Sequence, residues 1–554
     1  MTIDKRDWAL CFSLSLAFFL IATWNLGIDD APTSTWIASV GESFYIDLGS
    51  PKNVSELYLL LKRGEIDLEL YTGRPGSWIG RITASLNGYY SWKKIGIDHE
   101  TRYMKLVFEP TFGEIVEIAV ISEGVERIAV SQINGGNGGD EGLMRLIDEQ
   151  EKVKLPPTYV SETYFDEIYF VRAAEDYLTL DEPFEWSHPP LGKLILAAGI
   201  SAFSYSPFGW RIMGVLFATL MIPMIYLLGK RMFGSWLGAF SSAFLLTFDF
   251  MHFTMARIAT VDTFVVFFSL VSHFFFFTYF QDFLRRGREA SNRPLFLAVV
   301  FFSLGFSTKW YILFGFAGQI FLFLILRSGR LRESEDRPVF RRDAFSKNPS
   351  LTILGFITLS AIIYLLTFVP YLVIGHTLKD VYDRQWSMFH YHSVLSETHP
   401  FSSSWWSWPF ILKPLWLYLS ELPEGMVSTI AAMGNPAVWW IGLVSMGSAI
   451  EKVIREKDRI CLFIITIFLF QWLPYALITR CTFIYHFYIN VPLLCLATAY
   501  FINKSWNSRS GEITGLTYLI VIAALYVLFY PVISGSPIAR SFIAYLRWFN
   551  SWKF

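Results

Sequence analysis

The chain has 554 residues and a formal net charge of −1 at pH 7. Hydrophobic residues make up 53%, aromatics 18% and charged residues only 17%, which excludes a disordered chain, a coiled coil and a secreted disulfide scaffold. The near-zero charge supplies no global basic field for nucleic acid. The four cysteines, Cys11, Cys461, Cys481 and Cys495, lie in apolar runs without metal-ligand spacing.

Apolar stretches long enough for a hydrocarbon layer of ~30 Å recur along the chain. The first, about 8–27, lacks a small-residue cleavage site and reads as a retained helix. Ten more follow, near 209–229, 235–251, 260–280, 294–307, 311–327, 350–374, 436–450, 460–479, 483–502 and 513–535, making eleven. Lys and Arg concentrate in alternate loops: Lys5/Arg6, Lys230/Arg231, Arg285 to Arg293, Arg327 to Lys347, Lys452 to Arg459, and Lys504/Arg509. The positive-inside rule then predicts a cytoplasmic N-terminus and an extracytoplasmic C-terminus. Two long segments, about 28–208 and 375–435, face outward on this reading.

The first outer segment opens with period-two alternation at Ile66–Leu70 and Arg102–Glu109. Short runs near 43–48, 56–62, 79–85 and 115–122 are separated by turn residues, the pattern of a β-sandwich over about 31–130. A Gly-rich linker, Asn134 to Gly139, follows within 131–160. The expected organisation is a first span at 1–30, the β domain, the linker with a short helix, and an outer loop at 161–208. A transmembrane core at 209–374, a second outer loop at 375–435 and C-terminal spans at 436–554 complete it. The fold class is a multi-pass α-helical membrane protein with an extracytoplasmic β domain inserted after the first span.

Chemistry-bearing residues gather where the chain returns to the membrane. Asp166 and Glu167 sit between aromatics in Tyr164–Phe170, and His188 and Lys193 follow in Ser187–Lys193. Partial desolvation would raise the basicity of such carboxylates. The pair reads either as a general base at the membrane face or as a helix-starting acidic pair favoured by the macrodipole. Arg211, Asp249, His252, Arg257, Asp262, Lys309, Arg480 and His486 stand at the outer ends of spans. Charges at membrane depth are costly, so they are functional or paired. Arg257 and Asp262 are spaced to pair across a helix start. Lys309 and Arg480 have no acidic neighbour in sequence, which suits either a bound phosphate or snorkelling to the interface. In the second outer loop His390, His392 and His399 are close enough to ligate a metal, but no neighbouring Cys or HExxH pattern supports one. Trp405 and Trp406 fit either an interfacial aromatic belt or a platform for sugar or peptide. No Walker A loop, Rossmann fingerprint, GxSxG or CxxC is present.

The motifs, taken in order, resemble the protein O-mannosyltransferases, membrane glycosyltransferases of the GT-C type (glycosyltransferase family 39). They are FDEIYF at 165–170, HPPLGK at 188–193, PFGWRIMG from 207, and FDFMHFTMARIATVDTF at 248–264. STKW at 307–310, HPFSSSWWSWPF from 399, GNPAVWW at 434–440 and RCTFIYHF at 480–487 complete the set. The resemblance spans about 160–502.

It implies transfer of mannose from a dolichyl or other polyprenyl phosphate to Ser or Thr hydroxyls of proteins at the outer membrane face. It implies Asp166 as catalytic acid/base, with Glu167 beside it as a second catalytic carboxylate, and Arg211 as a functionally required arginine. Arg211, Arg257, Lys309, Arg480 and His486 are expected at the donor phosphate and sugar. His188, Lys193, Asp249, Asp262, His390, His392, Trp405 and Trp406 are expected to support them. The leaving group is already a phosphate, so no cofactor or nucleotide is expected, and no metal. Partners are membrane lipid, the lipid-linked donor and a protein acceptor, with no nucleic acid; eukaryotic relatives form dimers. The inserted β domain resembles a discoidin-type jelly roll, either sugar-binding or a spacer. Competing readings keep the fold but change the acceptor to a lipid or glycan, or make the chain a transporter or sensor. The latter would carry inverted repeats, which the sequence lacks.

Overall fold

The computed structural model describes residues 2–38, 41–109, 112–122, 126–135, 141–328, 331 and 349–554. The glycines of the predicted linker at 136–139 and most of the charged loop at 328–349 lie outside the described residues.

The chain enters with α1 (Lys5–Thr23), started by a reciprocal capping box between Asp4 and Asp7. A β domain follows: β1 (Trp36–Ala38), β2 (Ser43–Arg74), β3 (Ser77–Phe108), β4 (Gly113–Ile121), β5 (Arg127–Ile128) and β6 (Gln132–Gly135). Its sheet runs β1-β4-β2-β3, with β5 on β4 and β6 on β2. The separate short strands expected from the sequence are joined into two 32-residue strands, β2 and β3. Both bend instead of ending. Register shifts at Asp47/Lys52 and Val54/Glu56 absorb the turns, as bulges do. Gly64 (φ +114°) marks another bend, where a Cβ would meet the Phe112 carbonyl at 2.4 Å. The start of the predicted linker is also strand: Asn134 and Gly135 pair with Tyr45 and Phe44. The strands enclose one apolar core that includes Phe44, Leu57, Leu68, Met104, Leu106 and Ile118.

The helical body comprises α2 (Glu167–Thr179), α3 (Leu191–Phe203), α4 (Pro207–Phe233), α5 (Trp236–Thr247), α6 (Phe250–Ala256) and α7 (Asp262–Arg286). Then come α8 (Arg293–Phe306), α9 (Ile312–Arg327), α10 (Pro349–Thr367), α11 (Val369–Ile374) and α12 (Leu378–Val394). After two strands, β7 (Leu415–Glu421) and β8 (Met426–Ala432), come α13 (Pro436–Glu456), α14 (Arg459–Trp472), α15 (Val491–Ser505) and α16 (Arg509–Ser534). A short strand β9 (Ile538–Ala539) and α17 (Arg540–Leu546) end the chain. Seven helices among the described residues are long and apolar enough to cross a membrane, and five shorter apolar ones accompany them. The protein is therefore a multi-pass helical membrane protein.

Local chemistry sets the helix ends. Ser206 caps α4 by accepting the Gly209 N–H, with Pro207 in the first turn and Gly234 left-handed after the last. At Gly192 a Cβ would meet Val261 Cγ1 at 2.5 Å and Thr308 Cγ2 at 3.0 Å. Glycine there lets α3 close onto the turns that carry Asp262 and Lys309. The segment 375–435, expected as a second outer loop, carries β7 and β8, which pair into a three-stranded sheet with β9 from beyond α16.

Candidate active site

The expected residues gather unevenly. A cavity of about 500 Å³ at one end of the helical body is lined by Asp166, His188, Lys309, His392, Arg480 and His486, together with Glu185 and aromatic side chains. A second cavity of about 540 Å³ shares Glu397, Thr398, Arg480 and Cys481 with it and holds Trp405 and Trp406. The remaining expected residues, Glu167, Lys193, Arg211, Asp249, Arg257, Asp262 and His390, do not line the first cavity.

Asp166 precedes α2 and makes no capping hydrogen bond. Phe165 before it is left-handed, with φ +50°. Burial pushes the Asp166 carboxyl up to about 7; Lys309 pulls the other way, while Asp262 and Glu185 add to the rise. Glu167 is different. It is fully buried and paired bidentately with Arg211, Nε to Oε1 and Nη2 to Oε2, both at 2.7 Å. It also accepts the backbone N–H groups of Ala259 (2.9 Å) and Tyr164 (3.2 Å). Arg211 spends its other donors on the carbonyls of Leu26, Tyr159 and Glu162. The adjacent carboxylates are thus divided: one faces the cavity, and one ties the loop to α4. Arg211 is committed to protein groups.

Arg257 does not pair with Asp262. Its guanidinium donates to the carbonyls of Ala22, Trp24 and Asn25, just where α1 ends, and to Ser534 at the end of α16. Those end carbonyls lack intrahelical partners, so a buried cation satisfies both hydrogen bonding and the helix dipole. Asp262 instead binds Lys309, with Nζ at 3.0 and 3.2 Å from its two oxygens. Lys309 therefore lines the cavity while ion-paired to Asp262. Arg480 also lines the cavity, and among the described residues it has no carboxylate partner.

Glu185 was not singled out from the sequence. Lys193 Nζ donates to its Oε2 (2.8 Å) and backbone carbonyl (2.6 Å), and to the His188 carbonyl (2.7 Å). His188 Nδ1 lies 2.9 Å from Glu185 Oε1. Burial alone would raise Glu185, but Lys193 and His188 outweigh it and hold the carboxyl well below the usual range. The spacing Glu185, His188, Lys193 within one polar run was the available signal. The His188 and His392 rings meet edge to face at 5.1 Å, and His392 Nε2 donates to the Ser187 carbonyl at 2.9 Å. Burial pushes His392 down to about 3, so it stays neutral. His486 stacks on Tyr485 at 4.5 Å. His390 is exposed and does not line the cavity. Asp249 caps α6, and its carboxylate accepts from His252 N, Asn435 N and Trp439 Nε1 deep in the helical body.

The helical membrane body and its end cavity have known counterparts, and similarity to them places the chain in the class of GT-C-type membrane glycosyltransferases. The yeast protein O-mannosyltransferase Pmt1-Pmt2 complex, solved with its sugar donor, has this fold: the TM-score is 0.58 at 12% identity, over 71% of this chain and 89% of the yeast chain. Two family models match, "Dolichyl-phosphate-mannose-protein mannosyltransferase" over 187–336 and "C-terminal four TMM region of protein-O-mannosyltransferase" over 377–552. The chain belongs to the protein O-mannosyltransferase family. It is 26% identical over 430 residues to the polyprenol-phosphate-mannose–protein mannosyltransferase of Mycobacterium tuberculosis, covering 66% of this chain and 81% of that relative. The Corynebacterium glutamicum protein of the same description is 26% identical over 429 residues, with the same shares.

Proposed function

We infer that the protein transfers mannose from a polyprenyl phosphate to Ser or Thr hydroxyls of proteins. The observation that carries this reading is one cavity that brings together a carboxyl raised by burial, Asp166, and a cation, Arg480, neither of which is ion-paired among the described residues, in a chain of this family. Asp166 takes the acceptor hydroxyl's proton as its oxygen attacks the anomeric carbon of the sugar. The bond from that carbon to the phosphate oxygen breaks through an oxocarbenium-like state, and the phosphate leaves with the electron pair. Arg480, and Lys309 held by Asp262, stabilise the charge growing on it. A single displacement inverts the anomeric centre. Glu167 and Arg211 hold the loop and do not touch substrate. Since the cavity's own cations face the leaving group, transfer persists in EDTA.

The cavity faces the extracytoplasmic side and the N-terminus the cytoplasm, by the placement of Lys and Arg in loops. In the same reading, 31–130 is the inserted β domain, 161–208 the catalytic loop and 375–435 the second outer loop.

The test uses purified protein, radiolabelled polyprenyl phosphate mannose, and a Ser/Thr-rich peptide beside a membrane-lipid acceptor. Label on the peptide, lost in Asp166→Asn, supports the reading. Label in lipid alone moves the acceptor to a lipid. Full activity of Asp166→Asn removes Asp166 as the base.

A further inference from the structure

The β domain meets the segment before Asp166 through directed hydrogen bonds. The Thr163 N–H donates to the Tyr90 carbonyl at 3.0 Å, and its hydroxyl donates to the Tyr89 carbonyl. The Trp92 N–H donates to Glu162 Oε2 at 3.0 Å. Glu162 Oε1 accepts from the Tyr418 hydroxyl on β7 at 3.1 Å, and its backbone carbonyl accepts from Arg211 Nη2 at 2.7 Å. One side chain therefore joins the β domain to the second outer loop, at a residue whose backbone is bound to α4. A second contact reaches the helix that Asp166 begins: Lys62 Nζ lies 2.5 Å from Glu175 Oε1 of α2, and the Tyr89 hydroxyl donates to the same carboxylate.

Between these anchors sits Phe165 with φ +50°. A bulky side chain is strained in a left-handed backbone, and such strain persists only where the surroundings over-determine it. Here residues 162–164 are pinned on one side and Glu167 on the other. Asp166 itself has no side-chain hydrogen bond at its cap. Its aim comes from the backbone.

We propose that the β domain is a working part of the catalytic unit, and that Glu162 is a positioning residue: strand β3 holds Glu162 and Thr163, which keeps the Phe165 turn and points Asp166 into the cavity. The proposal rests on the reading of Asp166 as the base. Glu162→Ala loses both side-chain contacts, and kcat falls by about 10²-fold, the cost of a misplacement near 1 Å. The donor KM stays within about twofold, because Arg480 and Lys309 lie on other elements. Glu162→Gln restores kcat, since its amide oxygen still accepts the Trp92 N–H and its amide N–H can meet the Tyr418 oxygen.

Hydrogen–deuterium exchange of the full chain in nanodiscs reads the same clamp without activity. Amides at 165–170 exchange faster in Glu162→Ala, and in the milder Thr163→Val, than in wild type and Glu162→Gln. Wild-type kcat in Glu162→Ala overturns the proposal, as does a Glu162→Gln variant as impaired as alanine, or unchanged exchange at 165–170 in both Glu162→Ala and Thr163→Val. If wild type transfers no mannose while exchange responds as stated, the clamp stands and the proposed function falls.

Discussion

Asp166 and Glu167 are neighbours in sequence with opposite expected phenotypes. Asp166→Asn lowers transfer by ~10²–10⁴-fold, the usual worth of a general base, with no loss of donor binding. Only the ionised form can take the proton. With its carboxyl pushed up to about 7, the rate climbs as pH rises from 6 to 8 and then levels, a limb that rate–pH profiles would read directly. Glu167→Ala strands the buried Arg211, and breaking such a pair costs ~3–5 kcal/mol. A lower unfolding temperature in detergent is the expected signature. Arg480→Ala differs from both. No protein partner is lost among the described residues, so stability holds within ~0.5 kcal/mol while the donor KM rises. The resemblance at FDEIYF put Asp166 first as the base, but the turning of Glu167 away from the cavity onto Arg211 was not readable in sequence. That depends on Arg211, 44 residues on from Glu167.

At the scale of elements, the site is built from ends of helices packed closely enough to align. Gly192 is one such close approach, at the start of α3. Gly192→Val places new atoms against Val261 and Thr308, overpacking that costs ~1–3 kcal/mol. Pushing α3 off the turns of Asp262 and Lys309 loosens the ion pair, and transfer falls with stability. Measuring both in one variant series checks the link. The motif STKW marked Lys309 in sequence. Its partner, Asp262, lies 47 residues away, beyond any periodicity argument, and sequence spacing suggested Arg257 instead. In the β domain, alternation marked the strands, but bulges that carry one strand around a bend leave no periodic trace.

For the whole molecule, the natural cysteines report the sidedness of the cavity. Cys11, Cys461 and Cys495 are buried, whereas Cys481 is half-exposed and lines both cavities. A membrane-impermeant maleimide added outside intact cells is therefore expected to label Cys481 alone, and polyprenyl phosphate mannose to protect it. Labelling only after the membrane is opened would place the cavity in the cytoplasm.

Composition and hydropathy alone determined that this is a multi-pass membrane protein with a β domain after its first span. They could do so because burial in lipid or in a sheet imposes a local pattern that each segment carries by itself. The ordered motifs determined the family for the same reason, each being read within a few residues. Only the tertiary structure decided which charges meet. The partition of Asp166 from Glu167, the transfer of Asp262 from Arg257 to Lys309, and the grip of Trp92 on Glu162 are contacts across 44 to 70 residues of sequence. Electrostatics and hydrogen bonding act through space, and at such separations only the fold sets that space.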